Sequence, residues 1–562
     1  MDETPQAALR PAHDLTPVVD LTLHQGAGPY RSRLPHWVSL LPPCNHACPA
    51  GENIQAWLAL AQAGAYQKAW ETLMADNPLP ATHGRVCYHP CETACNRAEM
   101  DASVSIHAVE RFLGDMATAE GWKVPVAPAT GKRVLVVGAG PSGLSAAYHL
   151  TRLGHQVEIH EAGPVPGGML HFGIPAYRLP RQDLLAEIGR IEQMGVKFVL
   201  NRKVTDILAE RDAGKFDAVF VAIGAHVGKH ADIPARDAVR VLDAVTLLRE
   251  TSTGGQPLLG RRVVVYGGGN TAMDTARSLR RLGADEALIV YRRDRAHMPA
   301  HGFEADEALS EGIKIKWLTT IKEIVGPTLT VERMSLDDKG RPQPTGEFDT
   351  LQADAVVLAL GQDSDSDFLR GVPGIEFKWD TVVVDRQMMT GHPGVFAGGD
   401  MVPAERTVTV AVGHGKKAAR CIDAWLRGAT YDKPASASLV SFDMLNLPVF
   451  SDVDPAVQRH LAEKDAVSGF EEVLGGLSEA QARHEAQRCL SCGNCFECDN
   501  CYAACPEQAI AKLGVGLGYN VDPVKCTGCG TCFEQCPCHA IELVAEATPG
   551  AAPSPIPGVD HV

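Results

Sequence analysis

The chain has 562 residues, 45% of them hydrophobic and 21% charged, with a formal net charge of −16. This length suits three or four domains, each large enough to bury its own core. The acidic balance argues against nucleic acid and anionic membrane surfaces, both of which attract basic faces.

Residues 1–43 read as an irregular arm with scattered Pro and Gly, and the opening MDETPQAALRPAHDLTP lacks the charged-then-apolar pattern of a secretory signal. No apolar run in the chain approaches the roughly 18 residues of a membrane helix. Residues 44–128 read as a helical iron–sulfur domain, with periodic stretches such as NIQAWLALAQAGAYQKAWETLMA and SIHAVERFLGDMA. Cys44, Cys48, Cys87, Cys91 and Cys95 punctuate it.

From Lys132 the pattern changes to strand–turn–helix units. Over 129–258 an apolar strand, Val134–Val137, runs into Gly138-x-Gly140-x-x-Gly143, a helix, and a second strand ending at Glu161. The first glycine permits the tight turn, the second lets backbone approach a pyrophosphate, and the third lets helix pack on strand. Glu161 is placed to accept hydrogen bonds from a ribose. Over 259–391 the pattern recurs as Gly267-x-Gly269-x-x-Ala272, but its second strand ends in Tyr291-Arg292-Arg293. An acid there would favour the free 2′-hydroxyl of NAD, whereas an Arg pair suits the 2′-phosphate of NADP. The competing reading is a solvated strand end. Asp274, in the first turn of the following helix, reads either as a helix-surface residue or as one facing the nucleotide. Over 392–435 the segment GVFAGGDMV places Asp400 after a strand and a glycine pair. Two Rossmann units and a returning Gly-Gly-Asp imply an NADP domain inserted within an FAD domain.

Residues 436–494 read as a helical linker carrying Cys489 and Cys492, and residues 546–562 as a disordered tail. Between them, over 495–545, lie Cys495, Cys498, Cys501 and Cys505 followed by Pro506, then Cys526, Cys529, Cys532 and Cys536 followed by Pro537. This is the two-cluster ferredoxin spacing, in which the fourth Cys of each run crosses to the other cluster. It predicts one [4Fe–4S] cluster on Cys495, Cys498, Cys501 and Cys536 and another on Cys526, Cys529, Cys532 and Cys505. A single Cys-x-x-Cys would be ambiguous with zinc; two complete runs closed by Cys-Pro favour iron–sulfur. Cysteines used as metal ligands must stay reduced, which predicts a cytoplasmic location.

The pieces CNHACPAG, GRVCYHPCETAC, VLVVGAGPSGLSAA, GGMLHFGIPAYRLP, VVVYGGGNTAMD, YRRDRAHMP and GVFAGGD give the stretch from about 44 to 430 a resemblance to a known family. It resembles the small, NADPH-oxidising subunit of glutamate synthase, the N-terminal half of dihydropyrimidine dehydrogenase and the large subunit of NADH-dependent ferredoxin:NADP oxidoreductase. The resemblance implies FAD at Gly138, Gly140, Gly143, Glu161, Gly168, Asp400 and Thr407, with Pro141, Ser142 and Met169 beside them. It implies NADP(H) at Gly267, Gly269, Asn270, Thr271, Arg292 and Arg293. The family carries E-A-x-R-C-L-x-C near its N-terminus; here Glu485-Ala486-Gln487-Arg488-Cys489-Leu490-Ser491-Cys492 reproduces it in the linker. The linker is therefore expected to fold back and bring Cys489 and Cys492 to Cys44, with Glu110 as the fourth ligand the family takes from a Glu or Gln. Cys48, Cys87, Cys91 and Cys95 would hold the neighbouring cluster. Four clusters then leave only Cys421 and Cys538 of the 17 cysteines without a place.

The expected fold class is α/β: a helical iron–sulfur domain, two Rossmann-like domains and a C-terminal ferredoxin-like α+β domain. Hydride transfer between nicotinamide and flavin depends on stacking and orientation, so no catalytic acid–base pair is expected. The segment 495–545 resembles the delta-type ferredoxin subunit of 2-oxoacid:ferredoxin oxidoreductases. The function expected is therefore an NADP(H)-linked FAD and iron–sulfur electron-transfer subunit. Its expected partner is the thiamine-dependent catalytic subunits of a 2-oxoacid (2-oxoglutarate or pyruvate):NADP oxidoreductase. The alternatives are a free-standing NADPH:ferredoxin oxidoreductase, with or without bifurcation, a donor to a sulfite-type reductase, and a non-catalytic cluster scaffold.

Overall fold

The computed structural model describes residues 31–229, 231, 233–236, 240–514 and 516–545. Most of the expected arm, residues 1–30, and the tail 546–562 lie outside the described residues. The chain forms two compact units, one of Leu41–Leu439 with Asp452–Leu490, the other of residues 31–40, Val440–Ser451 and 491–545. No helix among the described residues is long and apolar enough to cross a membrane.

The larger unit opens with helices Pro43–Ala47, Ile54–Gln62, Tyr66–Met74, Pro80–Val86 and Ile106–Ala119. Trp57, Trp70, Leu73 and Leu113 are buried among them. A five-stranded parallel sheet follows in the order Val395–Ala397, Ala218–Val221, Arg133–Val137, Gln156–His160, Lys197–Val199. Its central strand, RVLVV, is buried on both faces, which is why it reads as an unbroken β-branched run rather than an alternating one. Helix Pro141–Arg152 covers one face and is crossed by helix Val408–Leu426. Their approach is set by Gly415, where a Cβ would stand 2.3 Å from the Ser142 carbonyl oxygen.

A second parallel sheet, Lys314–Lys316, Glu286–Val290, Arg262–Tyr266, Ala355–Leu358, Arg240–Asp243, lies between the pieces of the first in sequence. Two expected boundaries move. Arg240–Asp243 belongs to this second sheet, so the inserted domain begins before residue 259, and the Gly254–Gly260 turn is internal to it. Leu369, Val372 and Val382 pack with Leu135 and Val137 of the first sheet, so the insertion ends before residue 391.

The linker is less helical than expected. Between 436 and 478 it holds only short turns, and its one full helix is Glu479–Gln487, started by a Ser478–Gln481 capping box. That helix packs on Ile54–Gln62 and Ile106–Ala119.

In the smaller unit, the strand Arg33–Trp37, expected to be irregular, pairs antiparallel with Ile541–Ala545. A hairpin, Ile510–Gly514 with Gly518–Val521, and the short helices Asn500–Ala504 and Thr531–Glu534 complete it. The first described residues thus contribute a strand to the unit that carries the ferredoxin motif.

Candidate functional site

A cavity of about 530 Å³ opens at the carboxyl ends of the first sheet's strands, where doubly wound folds take their ligands. Gly138, Gly140, Pro141, Ser142, Glu161, Gly168, Met169, Asp400 and Thr407 all line it, while Gly143 lies beneath. The donor set fits a flavin dinucleotide. Gly138 has φ +103°, and a Cβ there would sit 2.5 Å from the Ala222 carbonyl oxygen, whereas a Cβ on Gly140 would meet nothing within 4 Å. Backbone can therefore approach a pyrophosphate at the start of a 12-residue helix. Ser142 Oγ, at that helix's first turn, is buried without a hydrogen-bond partner among the described residues. Glu161 accepts from the Ala139 and Gly163 amides, each at 2.7 Å. This pins its carboxylate and leaves lone pairs for a ribose. Burial drives the Asp400 carboxyl up to about 6, with Arg406 pulling it back. Thr407 caps helix Val408–Leu426, its side chain accepting from the Val410 amide at 3.2 Å.

The second dinucleotide motif contributes Asn270, Thr271 and Asp274 to the same cavity; Gly267, Gly269, Arg292 and Arg293 are not among its lining residues. Gly267 is held at φ +151°, with a Cβ position 2.1 Å from the Ala359 carbonyl oxygen. Arg292 is exposed and Arg293 half-buried, and neither forms an ion pair among the described residues. Asn270 is occupied: Nδ2 donates to the Tyr88 hydroxyl at 2.7 Å, and Oδ1 accepts from the His301 amide at 3.0 Å. Tyr88 and His301 stack with centroids 3.7 Å apart. Asp274 is gripped by Arg178 of GIPAYRLP, with Nη1 2.9 Å from each carboxylate oxygen, and Arg178 Nη2 reaches Glu304 at 2.5 Å. The sequence reading missed Tyr88, Arg178, His301 and Glu304. Their only sequence signal was membership of the motif pieces GRVCYHPC and GIPAYRLP and of the stretch just after YRRDRAHMP.

Among the N-terminal thiols, Cys48, Cys87 and Cys91 stand together. Burial first, then Glu52, Glu110 and Cys87, pushes the Cys48 thiol well above its ordinary value. Cys91 is pushed up by burial, then by Glu92, Cys87 and Cys48. A set of crowded, buried thiols fits an iron–sulfur core, whose positive charge would reverse these shifts by deprotonating its ligands. Glu110, expected with Cys44, Cys489 and Cys492, lies beside Cys48 and Cys87, and burial, Glu52 and Cys87 raise its carboxyl well above the usual range. The cause is helix packing. A Cβ on Gly84 would stand 2.5 Å from the Arg111 amide nitrogen, and one on Gly114 would stand 2.3 Å from the Ala81 amide nitrogen. Helix Pro80–Val86, which delivers Cys87, therefore lies directly on helix Ile106–Ala119, which carries Glu110. Asn77 ties the group together, with Nδ2 3.0 Å from Glu52, 2.8 Å from His83 and 2.7 Å from Glu110.

Cys95, expected with Cys48, Cys87 and Cys91, also feels the charge of the linker's Arg488. Arg97, two residues on, donates to the Arg488 carbonyl oxygen at 3.2 Å, directly before Cys489. Helix Pro43–Ala47, which contains Cys44, packs on Pro90–Thr93. Buried Glu485 and Arg488 clasp the loop before helix Ile106–Ala119. Glu485 accepts from the Ser105 amide at 2.8 Å, and Arg488 donates to the Ser103 and Ala102 carbonyl oxygens at 3.1 and 2.6 Å. Cys492 belongs to the smaller unit.

In the smaller unit the thiols crowd in two groups. Cys501 is pushed up to about 12 by burial and then by Cys495, Cys498 and Cys536; Cys532, up to about 11, by burial and then by Cys526, Cys529 and Cys505. Left-handed residues recur at matching places: Glu497 with Gly528, Asp499 with Gly530, Gln508 with His539. The Ala509 and Ala540 amides donate at 3.3 Å to Cys505 and Cys536 respectively. Cys538 Sγ lies 3.8 Å from Cys536 Sγ; Cys421 is buried in helix Val408–Leu426.

Comparison with known proteins agrees with this geometry. The pyridine nucleotide-disulphide oxidoreductase family matches residues 132–415. Dihydropyrimidine dehydrogenase domain II, 4Fe-4S cluster, matches 40–122, and the 4Fe-4S dicluster domain matches 494–540. NADP(+)-dependent formate dehydrogenase subunit beta of Moorella thermoacetica is 37% identical over 499 residues, covering 80% of this chain and 70% of the relative. NADPH-Fe(3+) oxidoreductase subunit beta of Geobacter sulfurreducens is 35% identical over 505 residues, covering 80% and 75%. The glutamate synthase [NADPH] small chain of Escherichia coli is 32% identical over 418 residues, covering 68% and 89%. The chain therefore belongs to the pyridine nucleotide-disulphide oxidoreductase family, as a glutamate synthase small subunit-like, NAD(P)H-dependent flavin iron–sulfur oxidoreductase with an iron–sulfur domain before its nucleotide-binding core and a 4Fe–4S dicluster domain after it.

Proposed function

We propose that this chain is the NADP(H)-linked electron-transfer subunit of a larger enzyme whose substrate chemistry resides on a partner subunit. The observation that carries the reading is the shared cavity: residues of both dinucleotide motifs line it, and Cys87 follows directly on the helix whose Val86 also lines it. When bound, FAD exchanges a hydride with nicotinamide and passes electrons singly to iron–sulfur clusters. This chain's residues supply the rest. Gly138, Gly140 and Ser142 take a pyrophosphate, Glu161 orients a ribose, and Arg292 with Arg293 meets a 2′-phosphate. Asp274, held by Arg178, keeps the second motif against the first.

In this reading Cys48, Cys87, Cys91 and Glu110 hold one cluster. Cys44, Cys95 and Cys489 contribute to a second, and the crossed sets of the smaller unit hold two more. The 2-oxoacid partner rests on the resemblance of the dicluster segment alone. The names of the two relatives matched over 80% of this chain point instead to a formate dehydrogenase or an iron(III)-reducing complex, so a formate-oxidising subunit is the second reading. Anaerobic purification from the native cell decides between them. Reduction of NADP that depends on a 2-oxoacid and CoA supports the first, and formate-dependent reduction the second. A chain that purifies alone and reduces only added ferredoxin or dye with NADPH overturns the subunit reading.

A further inference from the structure

Helix Val408–Leu426 touches the cavity and a thiol within its first turn. Its cap, Thr407, lines the cavity, as do Val408 and Ala411. Thr409, two residues before Ala411 on the helix, faces the other way, as side chains two apart on a helix do. It is 5% exposed, and its Oγ1 donates to Cys87 Sγ at 3.1 Å. At the second position of the helix no helical carbonyl lies one turn back for this hydroxyl to use; it reaches across to Cys87. The His89 amide, at 3.4 Å, is a second donor to the same sulfur.

We propose that Thr409 is a positioning residue that sets the reduction potential of the cluster nearest the flavin cavity, by donating its hydroxyl hydrogen bond to Cys87 Sγ. The inference rests on the reading of Cys87 as a ligand. In the step concerned the cluster gains one electron and the flavin loses one, while the hydroxyl proton stays on Oγ1. The added electron makes the ligand sulfurs more negative, so a donor aimed at one of them stabilises the reduced cluster more than the oxidised one. Hydrogen bonds to cluster sulfurs are among the levers that set such potentials. Because Thr407 and Thr409 share one helical turn, whatever fixes the cap at the cavity also fixes the donor at the sulfur.

The test compares Thr409→Val, which keeps the shape and removes the hydroxyl, with Thr409→Ser, which keeps the hydroxyl. Both are prepared anaerobically with iron and flavin counted, then titrated against ambient potential by electron paramagnetic resonance. In Thr409→Val the reduced-to-oxidised ratio of a single cluster, read at one fixed potential, falls at least threefold. In Thr409→Ser it stays with the wild type, and signals from the ferredoxin-type clusters do not move. Identical titrations of Thr409→Val and wild type at full iron content overturn the inference, as does an equal shift in Thr409→Val and Thr409→Ser. If Thr409→Val loses iron while Thr409→Ser keeps it, the hydroxyl retains the cluster rather than tuning it, and the inference again falls. Iron analysis of Cys87→Ala separates the two claims. Retention of all iron defeats the ligand reading, whereas loss of one cluster's iron beside an unshifted Thr409→Val defeats only the role of Thr409.

Discussion

Replacing Arg178 with Met leaves two carboxylates facing each other where the nucleotide motifs meet. Arg178 makes two contacts with Asp274, at 2.9 Å each, and one with Glu304 at 2.5 Å. The three side chains are 11%, 9% and 1% exposed. Removing one partner of a buried ion pair costs about 3–5 kcal/mol, because the charge left behind has no compensation. The cost depends on pH. Burial raises Glu304 to about 7, with Arg178 holding it down and Asp274 pushing it up. A carboxyl raised above its unfolded value of about 4.3 favours folding below that value and loses the contribution as pH rises through the folded one. Without Arg178 the folded value climbs further, so the penalty sits near the lower figure at pH 6 and near the upper at pH 8. A chain of several domains does not unfold in one step, so the measurement is local amide hydrogen exchange in helices Asn270–Arg281 and Gly302–Ser310. At about 1.4 kcal/mol per tenfold, protection there falls by about two orders of magnitude at pH 6 and about three and a half at pH 8. Adding Glu304→Gln recovers most of the difference between the two pH values. Protection unchanged within about threefold at pH 8 would refute the reasoning, since it would mean that water or a shifted side chain already compensates the pair.

Three further outcomes are expected. Gly143→Ala places a Cβ 2.0 Å from the Gly138 carbonyl oxygen; overpacking of this kind costs about 1–3 kcal/mol, and the purified protein shows substoichiometric flavin absorbance with normal iron. Arg292→Ala/Arg293→Ala removes the cations proposed to meet a 2′-phosphate. Losing charge-assisted hydrogen bonds of about 1.5–3 kcal/mol lowers kcat/KM for NADPH about 10- to 150-fold in dye reduction while leaving NADH nearly unchanged, and an unaltered NADPH/NADH ratio tells against the assignment. Glu110→Ala loses the iron of one cluster and Glu110→Gln keeps it. Combining Glu110→Ala with Cys87→Ala removes no more iron than either alone, whereas combining it with Cys95→Ser removes a second cluster's share. Additive loss with Cys87→Ala would return Glu110 to the other set.

What the sequence made legible, and what it did not, follows from how far apart the determining residues lie. The strand Arg133–Val137 and the glycines after it form a self-contained signal, because turn, helix start and buried strand are all dictated within a dozen residues. The two thiol runs of the ferredoxin segment are similar: each run fixes its own loop, and the left-handed positions repeat between the two runs. The domain boundary near 259 failed for the opposite reason. Only pairing across the sheet shows that Arg240–Asp243 lies beside Ala355–Leu358 in the second sheet.

The N-terminal thiols carry this argument furthest. Spacing states which cysteines share a loop, and the family resemblance implied that Cys48, Cys87, Cys91 and Cys95 form one set. Which of them meets which distant ligand is decided by the approach of two helices, and that approach is set by Gly84 and Gly114, where any side chain would collide with the opposing backbone. Gly84 opens the piece GRVCYHPCETAC but is no ligand candidate itself, and Gly114 lies outside every motif piece. Their effect is to bring Glu110 to Cys48 and Cys87 and to turn Cys95 toward Arg488. The same reasoning explains why Thr409 and Arg178 were invisible in the sequence: a hydroxyl or a guanidinium acquires its function from a partner more than 90 residues away in the chain, and nothing local to it announces the pairing. In a redox chain of this kind, motif spacing identifies the cofactors, while helix-to-helix contacts made through unremarkable small residues determine which cofactor each ligand serves.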